Sequence, residues 1–156
     1  MAKRPDPNEI QDMAEEIFDV WTLGWVNAAG EGGEENGHDL NELELLTLHL
    51  LTKAESLSVG ELQQVIRVSP TKMSRIIRGL EREGAPALVK RRFNPHDRRK
   101  VDISITPEGR EAHRVHRAAK LSTLILVLEE MLESDRADFI RLIRIVRGML
   151  GHPGRT

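Results

Sequence analysis

Residues 58–84, SVGELQQVIRVSPTKMSRIIRGLEREG, read as two short helices joined by a tight turn. Ser58 followed three residues later by Glu61 is a capping box, in which each side chain takes up a first-turn N–H that the helix itself cannot bond. The helix that follows turns Leu62, Val65 and Ile66 inward. Ser69 and Pro70 open a second helix a few residues on, the proline occupying a first-turn position where its missing N–H costs nothing. Two capped helices so close together form a helix-turn-helix signature. On the second helix Met73, Ile76, Ile77 and Leu80 share one face. At about 100° per residue, Thr71, Arg75, Arg78 and Arg82 fall opposite, with Lys72 and Gly79 on one flank and Ser74 on the other. The helix therefore has a buried side and a cationic side.

Downstream, Leu88 to Phe93 and Val101 to Ile105 alternate as short strands around the polar stretch NPHDRRK, which describes a β-hairpin with a long tip. Following a helix-turn-helix, such a hairpin is a wing. Thr106, Pro107 and Glu108 are a cap, an N1 proline and a first-turn acid for a long helix to about Leu132. Its segment LILVL, residues 124–128, is apolar on all sides, so it must be covered both by its own domain and by something else. Ser134 and Asp135 are expected to break this helix, and Phe139, Ile140, Ile143, Val146, Met149 and Leu150 to form a final amphipathic one ending at Gly151, with Pro153 beyond.

Upstream, Ile10, Met13, Ala14, Ile17, Phe18, Trp21 and Trp25 recur at three- and four-residue spacing, predicting a helix over residues 8–29. Gly30 to Gly37 reads as a flexible connector; it lacks a GK[ST] sequence, and its glutamates would repel phosphate. Asp39 or Asn41 caps the next helix, whose apolar face is Leu43, Leu46, Leu50 and Leu51. These elements divide the chain into an N-terminal helix and loop (1–38), a winged helix-turn-helix (39–106) and C-terminal helices (107–156). The fold class is mainly α with a small β-hairpin wing.

Charge is segregated along the chain. Residues 67–100 carry a net +8, residues 1–66 a net −11 and residues 101–156 a net +1, although the whole chain is at −2. A polyanion responds to the local field within roughly 8–10 Å at physiological salt, so the basic segment counts for more than the overall pI. Few aromatics and abundant Leu, Ile, Val and Ala favour helical packing. No 18-residue apolar run and no signal-type N-terminus are present, so the expected location is cytoplasmic, with no membrane contact. The chain has no cysteine, which rules out disulfides, thiolate metal sites and thiol redox switching.

The order of elements, and above all SVGELQQVIRVSPTKMSRIIRGLEREG and LVKRRFNPHDRRKVDISITPEG, resembles the MarR family of bacterial transcriptional regulators. The resemblance covers nearly the entire chain. It implies a homodimer with interlocked N- and C-terminal helices, one winged helix per subunit, and a pocket for a small aromatic or anionic effector. It also implies that Arg99 enters the minor groove at the wing tip, Asp97 braces the arginines and Arg98 meets backbone. One departure is the Ala85-Pro86-Ala87 insertion between Gly84 and the strand, which could re-aim the wing. The family's redox-sensing branch relies on cysteine, which this chain lacks.

A helix presents its N-terminal residues to base edges in the major groove, which makes Thr71, Lys72, Ser74 and Arg75 the candidates for sequence reading. Arg75 leads, because its fork can bond guanine O6 and N7 together, while Arg78 and Ser69 suit phosphates. The expected partners are double-stranded DNA and a second copy of the chain. A rival reading is a winged-helix module that binds an acidic protein. Trp21 and Trp25 belong either to a dimer core or, with His49, to the walls of an effector pocket. His113 and His116, with His49 or His38, could imitate a metal site, but their spacing alone is weak, and neither metal nor cofactor is expected. No nucleophile elbow or paired acid–base motif suggests an enzyme.

Overall fold

The computed structural model describes residues 5–28 and 40–150, apart from the side chains of residues 23–28. The predicted connector, His38, the alternative cap Asp39, the Trp25 side chain, and Gly151 with Pro153 lie outside the described residues. In chain order the elements are α1 (Pro7–Ala28), α2 (Glu42–Lys53), β1 (Leu57–Ser58), α3 (Val59–Ile66), α4 (Pro70–Glu81), β2 (Val89–Phe93), β3 (Val101–Ile105), α5 (Pro107–Glu130) and α6 (Glu133–Leu150). The fold is mainly helical with one small antiparallel sheet, and its contacts group into two compact units. One comprises Val26–Val115; the other comprises Met1–Trp25 with His116–Thr156.

In the first unit the predicted caps are made. Asn41 and Glu44 form a capping box on α2, Ser58 and Glu61 form one on α3, and the Ser69 hydroxyl accepts the Lys72 N–H at the start of α4. Each such cap stabilises its helix by about 1 kcal/mol. The core joins Leu43, Leu46, Leu48 and Leu51 of α2 to Leu62 and Ile66 of α3, to the apolar face of α4, and to Leu88, Val89, Ile103 and Ile105. Leu48, Thr47 and His49 are also buried, so α2 is enclosed well beyond the face read from its leucines. Val65, expected to face inward, is instead exposed. On an eight-residue helix Leu62 and Ile66 already fill the contact, and Val65 falls at its margin.

The sheet has the order β1-β3-β2, with Val89 opposite Ile105, Arg91 opposite Ile103 and Phe93 opposite Val101. Strand β1 adds a third member that the sequence reading lacked: Leu57 and Ser58 pair with Ile103 and Asp102 before Ser58 caps α3. The first turn of α5 lies hard against the start of the hairpin. A Cβ on Gly109 would sit 2.1 Å from the Leu88 carbonyl oxygen and 2.8 Å from Ile105, so only glycine allows this approach. The Thr106 hydroxyl reinforces the junction, donating to Ala87 O at 2.6 Å and accepting the Gly109 N–H at 3.0 Å.

The second unit packs Ile10, Ala14 and Ile17 of α1 against Leu121 and Leu128 of α5 and Ile140 of α6. Arg136 is buried there, and its guanidinium donates to Leu128 O at 2.7 Å near the end of α5. Ser134 and Asp135 do not break α5 as expected. It ends at Glu130, and both residues lie in the first turn of α6, where acidic and hydroxyl side chains suit unbonded N–H groups. Arg117 stacks over Phe18 at 4.7 Å and lies 3.6 Å from Asp19, while Arg144 bonds Glu16 at 3.1 Å. Leu126 and Val127, of the all-apolar segment, remain 63% and 50% exposed. Among the described residues, no helix is long and apolar enough to cross a membrane.

Candidate nucleic-acid interface

The α4 helix separates its two faces cleanly. Met73, Ile76, Ile77 and Leu80 are buried, whereas Ser69, Thr71, Ser74, Arg75 and Arg78 are exposed and Lys72 is half-buried. The Ser69 oxygen accepts the Lys72 N–H at 3.2 Å, which leaves its hydroxyl hydrogen available to donate outward. Arg82 does not extend the stripe. The helix ends at Glu81, and Arg82 turns away with φ at +47° to join the following loop.

That loop carries the insertion. Gly84 takes a positive φ of 76°, and the Leu88 N–H then donates to Leu80 O at 2.8 Å, tying the strand back to the end of α4. The Ala85-Pro86-Ala87 segment is thereby accommodated as a local excursion anchored at Ala87 by Thr106. It forms one wall of an open groove of about 540 Å³, with Arg82, Pro86 and Leu88 facing Pro107, Glu108 and Glu111. Arg114 bonds Glu111 across one helical turn and holds its carboxyl below the ordinary range.

The wing is ordered by residues beyond the arginines themselves. The Asp97 carboxylate accepts both the backbone N–H and the Nε–H of Arg99, at 3.1 and 3.3 Å. Asn94, which the sequence reading did not single out, is the larger organiser. Its Oδ1 accepts the His96 and Asp97 N–H groups at 2.8 and 3.2 Å, its Nδ2 donates to Asp102 at 2.9 Å, and its own N–H donates to Lys100 O at 3.0 Å. Arg98 and Arg99 are exposed on this framework, the Arg99 side chain 92% so.

A bidentate ion pair braces the wing against α4, with Arg91 donating from both Nε and Nη2 to the Glu81 carboxylate, the latter at 3.0 Å. That hydrogen bonding holds the Arg91 guanidinium pKa above its ordinary value. The contact commits one of the segment's cations to holding the hairpin. A sequence signal for it existed: Glu81 is one of only three acids in the basic segment. At α3, the Ser58 backbone N–H, followed by its hydroxyl, lowers the Glu61 carboxyl from its ordinary 4.5.

The effector-pocket and metal candidates fare differently. Trp21 is 60% exposed on α1. His49 is buried in α2, and its Nδ1 lies 3.1 Å from Nε2 of His113 on α5, a contact between residues 64 apart that spacing could not reveal. One ring of this pair must donate and the other accept, so at least one nitrogen there carries no proton. Among the described residues, no group of three or more His, Cys, Asp or Glu is placed to hold a metal ion.

Residues 40–101 match the model of the MarR family. No curated protein matches the chain. Among solved structures the chain is similar to FabT of Streptococcus pneumoniae in complex with DNA, at 22% identity over 94% of this chain and 98% of that one, TM-score 0.61. It is similar to wild-type apo MarR from E. coli, at 16% identity over 93% and 98% of the two chains, TM-score 0.58. A third similar structure is BpsR of Bordetella bronchiseptica, whose DNA binding is regulated by 6-hydroxynicotinic acid, at 16% identity over 89% and 98%, TM-score 0.50. At these identities the likeness is one of fold.

Proposed function

We propose that this chain, whose residues 40–101 match the model of the MarR family, is a DNA-binding transcriptional regulator that acts as a homodimeric, ligand-responsive repressor on a pseudo-palindromic operator. The observation that carries the reading is the exposed Thr71, Ser74, Arg75 and Arg78 face of α4, with its apolar side wholly buried, beside a wing that exposes Arg98 and Arg99. Arg75 reads a guanine in the major groove, assisted by Thr71, Lys72 and Ser74. Arg78 and Ser69 take phosphates. Arg99 enters the minor groove, where narrow A·T-rich stretches concentrate negative potential, and Arg98 meets the backbone. Asp97 acts only as the brace.

Two copies would set their recognition helices about one DNA turn apart, roughly 34–36 Å, which matches half-sites of a two-fold operator. The exposed apolar side chains of α1, α5 and α6 support pairing, with residues 1–38 and 107–156 as the dimerisation segments and 39–106 as the winged domain. An effector acts by favouring a different separation of the two readers, which weakens DNA binding by linkage. The regulation of BpsR by an aromatic acid supports this class of ligand.

Salt-titrated binding to duplex DNA tests the reading. With about six to ten phosphate contacts, affinity falls by roughly three to five decades between 50 and 200 mM salt. A flat salt response, or tighter binding to an acidic peptide than to duplex DNA, would show the basic surface to be a protein-docking site instead.

A further inference from the structure

Phe93 is 71% exposed and ends β2, and it contributes to neither apolar core. Among the large apolar side chains described in the winged-helix unit it is the most exposed, ahead of Val115 at 54% and Val65 at 39%. Its position follows from register. Partners across an antiparallel pair share a face, so Val89, Arg91 and Phe93 lie on the same side of the sheet as Ile105, Ile103 and Val101. Val89, Ile103 and Ile105 on that side are buried, and Arg91 reaches the last turn of α4 through Glu81. Phe93 is the next step outward along the same side. Its cross-strand partner Val101 still packs against the core, whereas Phe93 does not, and the wing tip begins at Asn94, whose N–H closes the hairpin on Lys100 O.

The hairpin around this ring is net cationic, although Asp102 lies opposite Arg92 and Glu81 pairs with Arg91. Residues 90–100 hold Lys90, Arg91, Arg92, Arg98, Arg99 and Lys100 against Asp97 alone. The wing of a second copy is a poor cover for this ring, because two such wings would bring like charges together. The cover has to be polyanionic and must also offer apolar surface at the same spacing. A duplex strand meets both needs, since its phosphates alternate with deoxyribose rings whose C–H edges are apolar.

We infer that Phe93 is a DNA-contacting residue that packs its ring on deoxyribose at the edge of the groove the wing enters, adding an uncharged component to binding beside the arginines. This rests on the DNA-binding reading above. The ring lies on the side of the hairpin that is tied to the end of α4 through Arg91 and Glu81. Sugar edges are the same for every base pair, so the contact adds affinity without adding base preference.

The test is Phe93→Ala, Phe93→Leu and Arg98→Ala in the intact 156-residue chain, titrated with a mixed-sequence duplex at several salt concentrations. Phe93→Ala is expected to weaken binding roughly tenfold with the slope of log K against log salt unchanged, because apolar burial releases no counterions. Phe93→Leu is expected to recover much of that loss, and Arg98→Ala to reduce the slope by about one. Parental binding with a steep slope, matched by Phe93→Ala, would overturn the Phe93 inference alone. A parental protein that ignores duplex DNA would overturn both readings. A melting temperature that falls with affinity in Phe93→Ala would make the ring a wing-stabilising residue, and loss of a DNA bend would make it a wedge between bases; either result overturns packing on sugar.

Discussion

On α4 every apolar residue of the helix face is buried and the solvent side is cationic. On α6, by contrast, Ile140 alone of its apolar residues is fully buried, and Leu142, Ile145, Val146 and Met149 are each at least two-fifths exposed. The α5 segment 124–128 behaves like α6, with Leu128 inside and Leu126 and Val127 out. The winged-helix unit has thus closed its core within one chain and exposes charge along α4 and the wing. The helical unit presents hydrocarbon. A long-range charged interaction suits a partner that must be released, since salt and small shifts in spacing weaken it. Exposed apolar area of this extent suits a partner that stays.

The largest effect should come from charging the exposed apolar side. Leu126→Glu together with Val127→Glu is expected to convert a dimer into monomer at micromolar concentration, with loss of operator binding, read by sedimentation and titration. A parent protein that sediments as a stable monomer would break the comparison, since the helical unit would then tolerate its apolar surface unaided.

A lesion confined to the winged unit sharpens the contrast from the other side. Gly109→Ala forces a methyl group into the Leu88 carbonyl, where backbone cannot yield as a flexible side chain would. The expected cost is about 1–3 kcal/mol, read as a lowered denaturant midpoint with dimerisation retained. A neutral result would mean that α5 does not seat against the hairpin this closely.

Arg75→Ala should leave folding and dimerisation intact, since the side chain is exposed. It is expected to lower operator affinity by about 1–3 kcal/mol and to relax preference at one base position per half-site, which selection from random duplexes would reveal. Unaltered preference would move base reading to Thr71, Lys72 or Ser74.

The smallest effect concerns acid. The Glu61 carboxyl is lowered from 4.5 by its bonds to Ser58, so its contribution to α3 is present above that value and is lost as pH falls through the lower folded-state value. Glu61→Gln should therefore flatten the acid limb of a melting-temperature profile below about pH 4.5 while changing little at neutral pH. Identical acid limbs would show that the capping box is not titrating there.

Much of the architecture was legible from local rules. The caps at Ser58 and Ser69, the buried stripe of α4 and the phase of Val101, Ile103 and Ile105 depend on neighbours within four residues, and each is present as read. The candidate interface was legible in part, because its cations are exposed side chains whose placement follows from helix and hairpin geometry. Misreadings arose where a local signal met a nonlocal one. Arg82 continues the α4 stripe in sequence, but the chain turns away with a positive φ at Arg82 itself. Ser134 and Asp135 look like breakers, yet they sit where a helix begins.

By itself, then, the sequence determined which residues share a face, where helices start, and how charge divides along the chain. Those properties are set by backbone periodicity and by hydrogen bonds closed over a few residues. Only the tertiary structure decided what covers each face. It joined Leu57 and Ser58 to β3, and brought His49 to 3.1 Å from His113 and Glu81 to Arg91. It also left Val65 and Phe93 outside the core while enclosing Thr47 and Leu48. Periodicity specifies a direction around a helix or strand, whereas burial depends on what other segment arrives there, and those arrivals are fixed by packing the whole chain at once.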